Sequence, residues 1–126
     1  MNLNQVTIPV TDIKKSIDFY TKIGLKLIVH TYDRYARFVC SDGNSTMSLH
    51  VVESINSDAR TTIYFEREDL DEYVEVLVNR GIKFDLKPKD QSWLWREAHL
   101  SDPDGNPLII YLAGANRIDP PWKIKP

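Results

Sequence analysis

The sequence is written twice, and that duplication limits the folds open to it more than any other feature. Residues 5–27 recur in residues 62–84 at a constant offset of 57. Gln5-Val6-Thr7-Ile8 falls on Thr62-Ile63-Tyr64-Phe65, Asp12-Ile13 on Asp69-Leu70, and Gly24-Leu25-Lys26-Leu27 on Gly81-Ile82-Lys83-Phe84. Few positions are identical, but residue class agrees wherever structure demands it. The offset widens later, so that Asp42-Gly43-Asn44 corresponds to Asp104-Gly105-Asn106, which reads as an insertion around Lys87 to Ser92. An array of stacked repeats needs three units or more. Two copies describe one domain over residues 1–126: module one at 3–53, module two at 60–113, and an extended tail at 114–126.

Each module opens with a short alternating strand, marked by Val6, Ile8 and Val10 and by Ile63 and Phe65. An Asp suited to cap a helix follows, Asp12 or Asp69, the latter with Glu72 three residues on as a capping box. Apolar residues at Ile13, Ile17 and Tyr20, and at Leu70, Tyr73, Val74 and Leu77, make a helical stripe that ends at Gly24 or Gly81. Three strands come next, at 25–31, 35–41 and 46–53, then at 82–87, 93–100 and 107–113, with Asp-Gly-Asn turning the last hairpin. The class is α+β, a βαβββ unit twice. The tail AGANRIDPPWKIKP holds prolines that exclude helix or inner strand.

Composition removes several function classes. With 42% hydrophobic and 27% charged residues the chain is a folding one, not a disordered one. The net charge of −2, with no basic stripe, disfavours nucleic acid as a partner. No apolar run approaches the ~20 residues that cross a bilayer, and the first residues lack the pattern of a signal peptide. A single cysteine, Cys40, fits a reducing compartment. The expectation is a cytoplasmic protein with a small-molecule or protein partner and no membrane association.

The wording of three segments resembles the glyoxalase/bleomycin resistance/dioxygenase (vicinal oxygen chelate) superfamily. They are VTIPVTDIKKSIDFYTKIGLKL, YFEREDLDEYVEVLVNRGIKF and REAHLSDPDGNPLIIYLAG, with Asp-Pro-Asp-Gly-Asn the most specific piece. The resemblance implies curved mixed sheets around a cavity, helices on their outer faces, and a homodimer in which the tail, anchored by Trp122, wraps the domain or its partner. It also implies that metal-dependent members draw ligands from the first and last strand of each module. Those positions fall here on Gln5, Ser48, Thr62 and Ile109, of which Gln5 alone is a plausible ligand and Ile109 cannot ligate. His50 lies two residues beyond Ser48 and would pair with Gln5 if a divalent metal were held at all. The expectation is no metal cofactor.

Strand alternation assigns one apolar face to the helices and leaves a mixed face for a ligand. Gln5, Thr7, Ser48, His50, Thr62, Tyr64 and Tyr111 lie on it, and the third strands add Arg37, Trp95, Glu97 and His99. Tyr35 joins Tyr64, Trp95 and Tyr111 as an aromatic surface on which a flat molecule stacks, with Glu97 as a counter-charge. Cys40 shares the apolar side with Ala36 and Phe38 and reads as a buried, inert thiol; His30 reads as surface or dimer edge. Two functions stay open: a small-molecule binder without metal, or a lactoylglutathione-lyase or dioxygenase type enzyme with a divergent metal site. In the second, Glu97 and His50 are the candidate catalytic groups.

Overall fold

The computed structural model describes the backbone of residues 1–126 and every side chain except that of Ala59. Its order is β1 (Gln5–Val10), α1 (Ile13–Lys22), β2 (Lys26–Thr31), β3 (Tyr35–Val39) and β4 (Thr46–Val51). Then come β5 (Ile63–Glu66), α2 (Leu70–Asn79), β6 (Leu86–Asp90), β7 (Arg96–Ser101) and β8 (Pro107–Leu112). The class is α+β, with the βαβββ unit present twice. The strands form two four-stranded sheets ordered β1-β4-β3-β2 and β5-β8-β7-β6. The chain divides into two compact units, residues 1–61 with 102–106, and residues 62–101 with 107–126.

Duplication reaches down to the register. In both sheets the first strand pairs parallel with the last, and the last three run antiparallel. Thr7 lies opposite Ser48 and Tyr64 opposite Ile109, the first strands being offset by 57 residues and the last by 61. Both helices also stop in the same way. Gly24 and Gly81 take φ of 114° and 90°, values that cost a residue with a Cβ and cost glycine nothing. Leu25 N–H then reaches Tyr20 C=O, and Ile82 N–H reaches Leu77 C=O, each at 3.0 Å. This is the Schellman closure, with buried apolar side chains at both of its ends.

In the first unit Tyr20, Phe38, Ile8, Val10, Met47 and Leu49 form the core beneath α1. In the second, Leu70, Val74 and Leu77 of α2 meet Ala98, Leu100, Leu108 and Ile110. Most helix-facing strand residues are buried, with Val6, Val51, Phe65 and Leu112 half-buried. The alternate positions form the other face, where Ser48, Glu97, Ile109 and Tyr111 are buried as well. Residues 102–106 belong to the first unit, where the buried Asp102 carboxylate is fully engaged. It accepts the Tyr20 hydroxyl at 2.7 Å, the backbone N–H groups of Asp104 and Asn106 at 2.9 and 2.8 Å, and the Asn106 amide at 2.8 Å. Burial, then the nearby Asp102 charge, pushes the Tyr20 phenol far above the usual tyrosine range.

Four expectations need correction. The strand expected at 82–87 lies at Leu86–Asp90. Leu86 pairs with His99 as Val29 pairs with Arg37, so the offset of 57 holds as far as Leu86 and the extra residues fall after it, around Lys87 to Ser92. Pro88 within it is tolerated because β6 is an edge strand that pairs only with β7, and the ladder shifts register between Leu86 and Lys89. Strand β7 starts at Arg96, because Trp93 and Leu94 form a turn closed by Gln91 N–H to Trp95 C=O at 2.8 Å. Asp69 starts α2 but makes no side-chain cap, since Arg67 holds its carboxylate through two 2.8 Å bonds. In the tail, Gly114–Arg117 make a single 3-10 turn ahead of the prolines, while Trp122 is 56% exposed and anchors nothing within this chain.

Ser16 on α1 carries, among the described residues, the one buried side-chain polar atom without a partner. Ser16→Ala should raise stability by about 0.5–1 kcal/mol, as it removes an unsatisfied hydroxyl and improves helix propensity. Tyr20→Phe, which takes a donor from buried Asp102, should lower it by about 1–3 kcal/mol. Urea unfolding of both variants checks the opposite signs.

Candidate functional site

Each unit turns one sheet face to its helix. The predicted site residues, except Thr62 and Trp95, which lie just outside the strands, alternate onto the other face, where Ser48, Glu97 and Tyr111 are buried. The units are placed in correspondence by their registers. Arg37 lies opposite Ser48 and Tyr35 opposite His50; His99 lies opposite Ile109 and Glu97 opposite Tyr111. Arg37 with Tyr35 and His99 with Glu97 are thus equivalent pairs, two residues apart on the third strand of each copy.

In the first unit, the Arg37 Nε–H donates to the Tyr35 hydroxyl oxygen at 2.9 Å, and that hydroxyl bonds the buried Ser48 Oγ at 2.8 Å. The Ser48 bond, followed by the Arg37 bond, lowers the Tyr35 phenol below the usual tyrosine value. The exposed Gln5 gives its Oε1 to the Thr46 hydroxyl at 2.8 Å. Thr7 and His50 are exposed. Parallel register sets Gln5 opposite Thr46 and His50 opposite Pro9. The two candidate ligands therefore stand four residues apart, roughly 13 Å along the strands.

In the second unit, Trp95 and Tyr111 stack with centroids 4.6 Å apart and planes 16° from parallel. Tyr64 presents its edge to both, at 6.0 and 5.7 Å, and remains 49% exposed. These distances match the offset-stacked and edge-to-face arrangements that ring quadrupoles favour. Trp95 is tied by its indole N–H to the Asn116 carbonyl at 3.2 Å and packs on Ile109, Tyr111 and Ala113. Burial, then the nearby Glu66 carboxylate, raises the Tyr111 phenol. Thr62 is exposed and precedes β5, outside the strand.

Glu97 is 2% exposed, and both of its oxygens are occupied. The Trp93 indole N–H donates to Oε2 at 2.8 Å, and His99 Nε2 lies 2.8 Å from Oε1. An ionised carboxylate only accepts, so His99 carries its proton on Nε2 and turns Nδ1 away from Glu97. Sequence reasoning did not find Trp93 as the Glu97 donor. Its position depends on the turn at Leu94, whose φ of 67° no residue type announces. Of the remaining candidates, His30 Nε2 lies 2.9 Å from the Asp33 carboxylate, and Cys40 is half-buried with its thiol pushed up by burial.

The four positions at which the resemblance implies metal ligands hold an amide bonded to Thr46, a hydroxyl bonded to Tyr35, an exposed hydroxyl and an aliphatic side chain. This donor set does not fit a divalent cation, which calls for three or more imidazole, carboxylate or thiolate ligands. No group of three or more His, Cys, Asp or Glu converges among the described residues. Among the same residues no helix is long and apolar enough to cross a membrane.

Comparison with known proteins agrees with this geometry. A model of the Glyoxalase/Bleomycin resistance protein/Dioxygenase superfamily matches residues 2–110. The uncharacterised protein YraH of Bacillus subtilis (strain 168) is 29% identical over 88% of this chain and 98% of its own. A lactoylglutathione lyase from Agrobacterium tumefaciens superposes with a TM-score of 0.73 at 17% identity, over 88% of this chain and 92% of that one. A bleomycin-binding protein, solved in complex with bleomycin, gives 0.72 at 18% identity, over 89% and 98%. At such identities the structural likenesses establish the fold alone.

The opposite phenol shifts give an ordering. In near-ultraviolet difference titration Tyr35 should ionise before Tyr111, and Tyr35→Phe should delete the earlier step. With a folded pKa below its unfolded value, Tyr35 contributes stability that is present above the unfolded value and lost as pH falls through the folded one. Tyr111, shifted upward, contributes stability below its unfolded value that is lost as pH rises through the folded one.

Proposed function

The chain belongs to the Glyoxalase/Bleomycin resistance protein/Dioxygenase superfamily, and from that premise we propose that it binds a small aromatic organic molecule without a metal. The observation that carries this reading is the Tyr64–Trp95–Tyr111 cluster. Three rings are fixed against one another on a sheet face that the unit's helix does not cover, with Tyr64 half exposed. Fixed rings offer stacking area at little entropic cost. A bleomycin-binding protein shares the fold, so the fold is compatible with binding a small organic molecule. Glu97 does not extend the site to strongly cationic ligands, because Trp93 and His99 already occupy its oxygens. A neutral ring system is the better match.

The competing reading, a metal-dependent lyase or dioxygenase with Glu97 and His50 as catalytic groups, asks for donors that Ser48, Thr62 and Ile109 do not supply. A cytoplasmic homodimer accompanies the binding reading. Exposed Ile118, Trp122 and Ile124 offer the tail apolar contact surface, and the lone Cys40 suits a reducing compartment.

Tryptophan fluorescence against a library of neutral aromatic compounds tests the proposal. One lost ring contact of about 0.5–1.5 kcal/mol corresponds to affinity weakened roughly 2- to 12-fold. Tyr64→Ala and Trp95→Phe should each fall in that range. Affinities unmoved by both substitutions, or one tightly held divalent metal per chain in elemental analysis, would overturn it.

A further inference from the structure

We propose that Arg37, held on the open face of the first sheet by Tyr35, is a binding site for the carboxylate of a small organic acid. The site lies wholly within the first unit and stands independently of the aromatic cluster.

Arg37 is half-buried, and among the described residues it has no carboxylate within ion-pair distance. Most other partly buried arginines of the chain are spent: Arg67 on Asp69, Arg96 on Asp71 and Asp90, and Arg60 on the carbonyl of Asp104. Every position that shares the Arg37 face on β1, β2, β3 and β4 is neutral or basic; none is Asp or Glu. A guanidinium drawn partly out of water with no counter-charge carries a desolvation cost that an arriving anion relieves.

The geometry also prepares the group. Its Nε–H is committed to the Tyr35 hydroxyl at 2.9 Å, and that hydroxyl is tied to Ser48 at 2.8 Å, so the plane of the guanidinium is fixed before any ligand arrives. The guanidinium carbon lies 5.4 Å from the Tyr35 ring centroid, a second restraint. The terminal nitrogens remain as a planar fork, the shape that matches two carboxylate oxygens. A single fixed positive charge balances a monoanion and leaves a phosphate dianion half-neutralised, so the chemistry selected is a carboxylate.

The equivalent pair in the second unit sharpens the contrast. His99 occupies the position of Arg37, and there the chain supplies its own carboxylate, Glu97, at 2.8 Å. The first copy has a phenol where the second has a carboxylate.

The test follows the Arg37 Nε–H resonance by NMR while acetate, benzoate and inorganic phosphate are titrated separately. Saturable shifts with both carboxylates, exceeding those with phosphate, are expected. Arg37→Gln should abolish them. Arg37→Lys, which keeps the charge and loses the fork, should weaken benzoate at least about tenfold, read from the Tyr35 resonances. Tyr35→Phe should weaken it without abolishing it. No saturable shift, tighter binding of phosphate, or benzoate affinity unchanged in Arg37→Gln would overturn the proposal. Should Arg37→Gln fail to fold, an unchanged affinity in Arg37→Lys overturns it equally.

Discussion

The parallel pairing of the first strand with the last, in each of the two sheets, is the constraint from which the rest follows. Strands β1 and β2 run the same way with β4 and β3 between them, so the chain must cross over one face of the sheet to return. That crossing is the helix. Its apolar stripe then needs a matching sheet face, which explains why Ile8, Val10, Met47 and Leu49 are buried in one unit and Leu108 and Ile110 in the other. The opposite face is left over by the same logic. Its residues are free to serve chemistry because no helix requires them.

Two copies of one topology give two open faces, and their side chains have diverged in kind. One carries a fixed guanidinium backed by a phenol, with Ser48 beneath. The other carries stacked rings beside a carboxylate that is hydrogen-bonded internally to an imidazole and an indole. Ser48 and Ile109 occupy equivalent register positions, and the exchange of a hydroxyl for an aliphatic side chain shows how far the copies have parted. Neither copy keeps a set of donors suited to a hard cation.

The fold was legible because its signals are local and come in pairs. A helix-terminating glycine, an Asp before an apolar stripe and an Asp-Gly-Asn turn mean little singly; at a fixed offset each vouches for the other. What the sequence hid was competition between side chains. Asp69 has the composition of a cap, and Arg67 two residues earlier takes its carboxylate. The limits of strand β6 were missed, 82–87 standing for Leu86–Asp90, since edge pairing is a property of the whole sheet. On the site, alternation placed Arg37, Glu97, His99 and Tyr111 on the open faces, but it could not tell that Glu97 is already satisfied. That depends on Trp93, brought round by a turn with left-handed backbone at Leu94.

Open sheets have edges, and an edge strand is a template on which another chain can add itself. Strand β6 lies at such an edge, and its sequence, Leu86-Lys87-Pro88-Lys89-Asp90, is poor material for a template. Pro88 withdraws one backbone donor, the register shift beside it breaks the even spacing a newcomer would need, and two lysines repel a second copy of the same segment. The irregularity of this strand thus makes it a poor surface for sideways growth into a longer sheet.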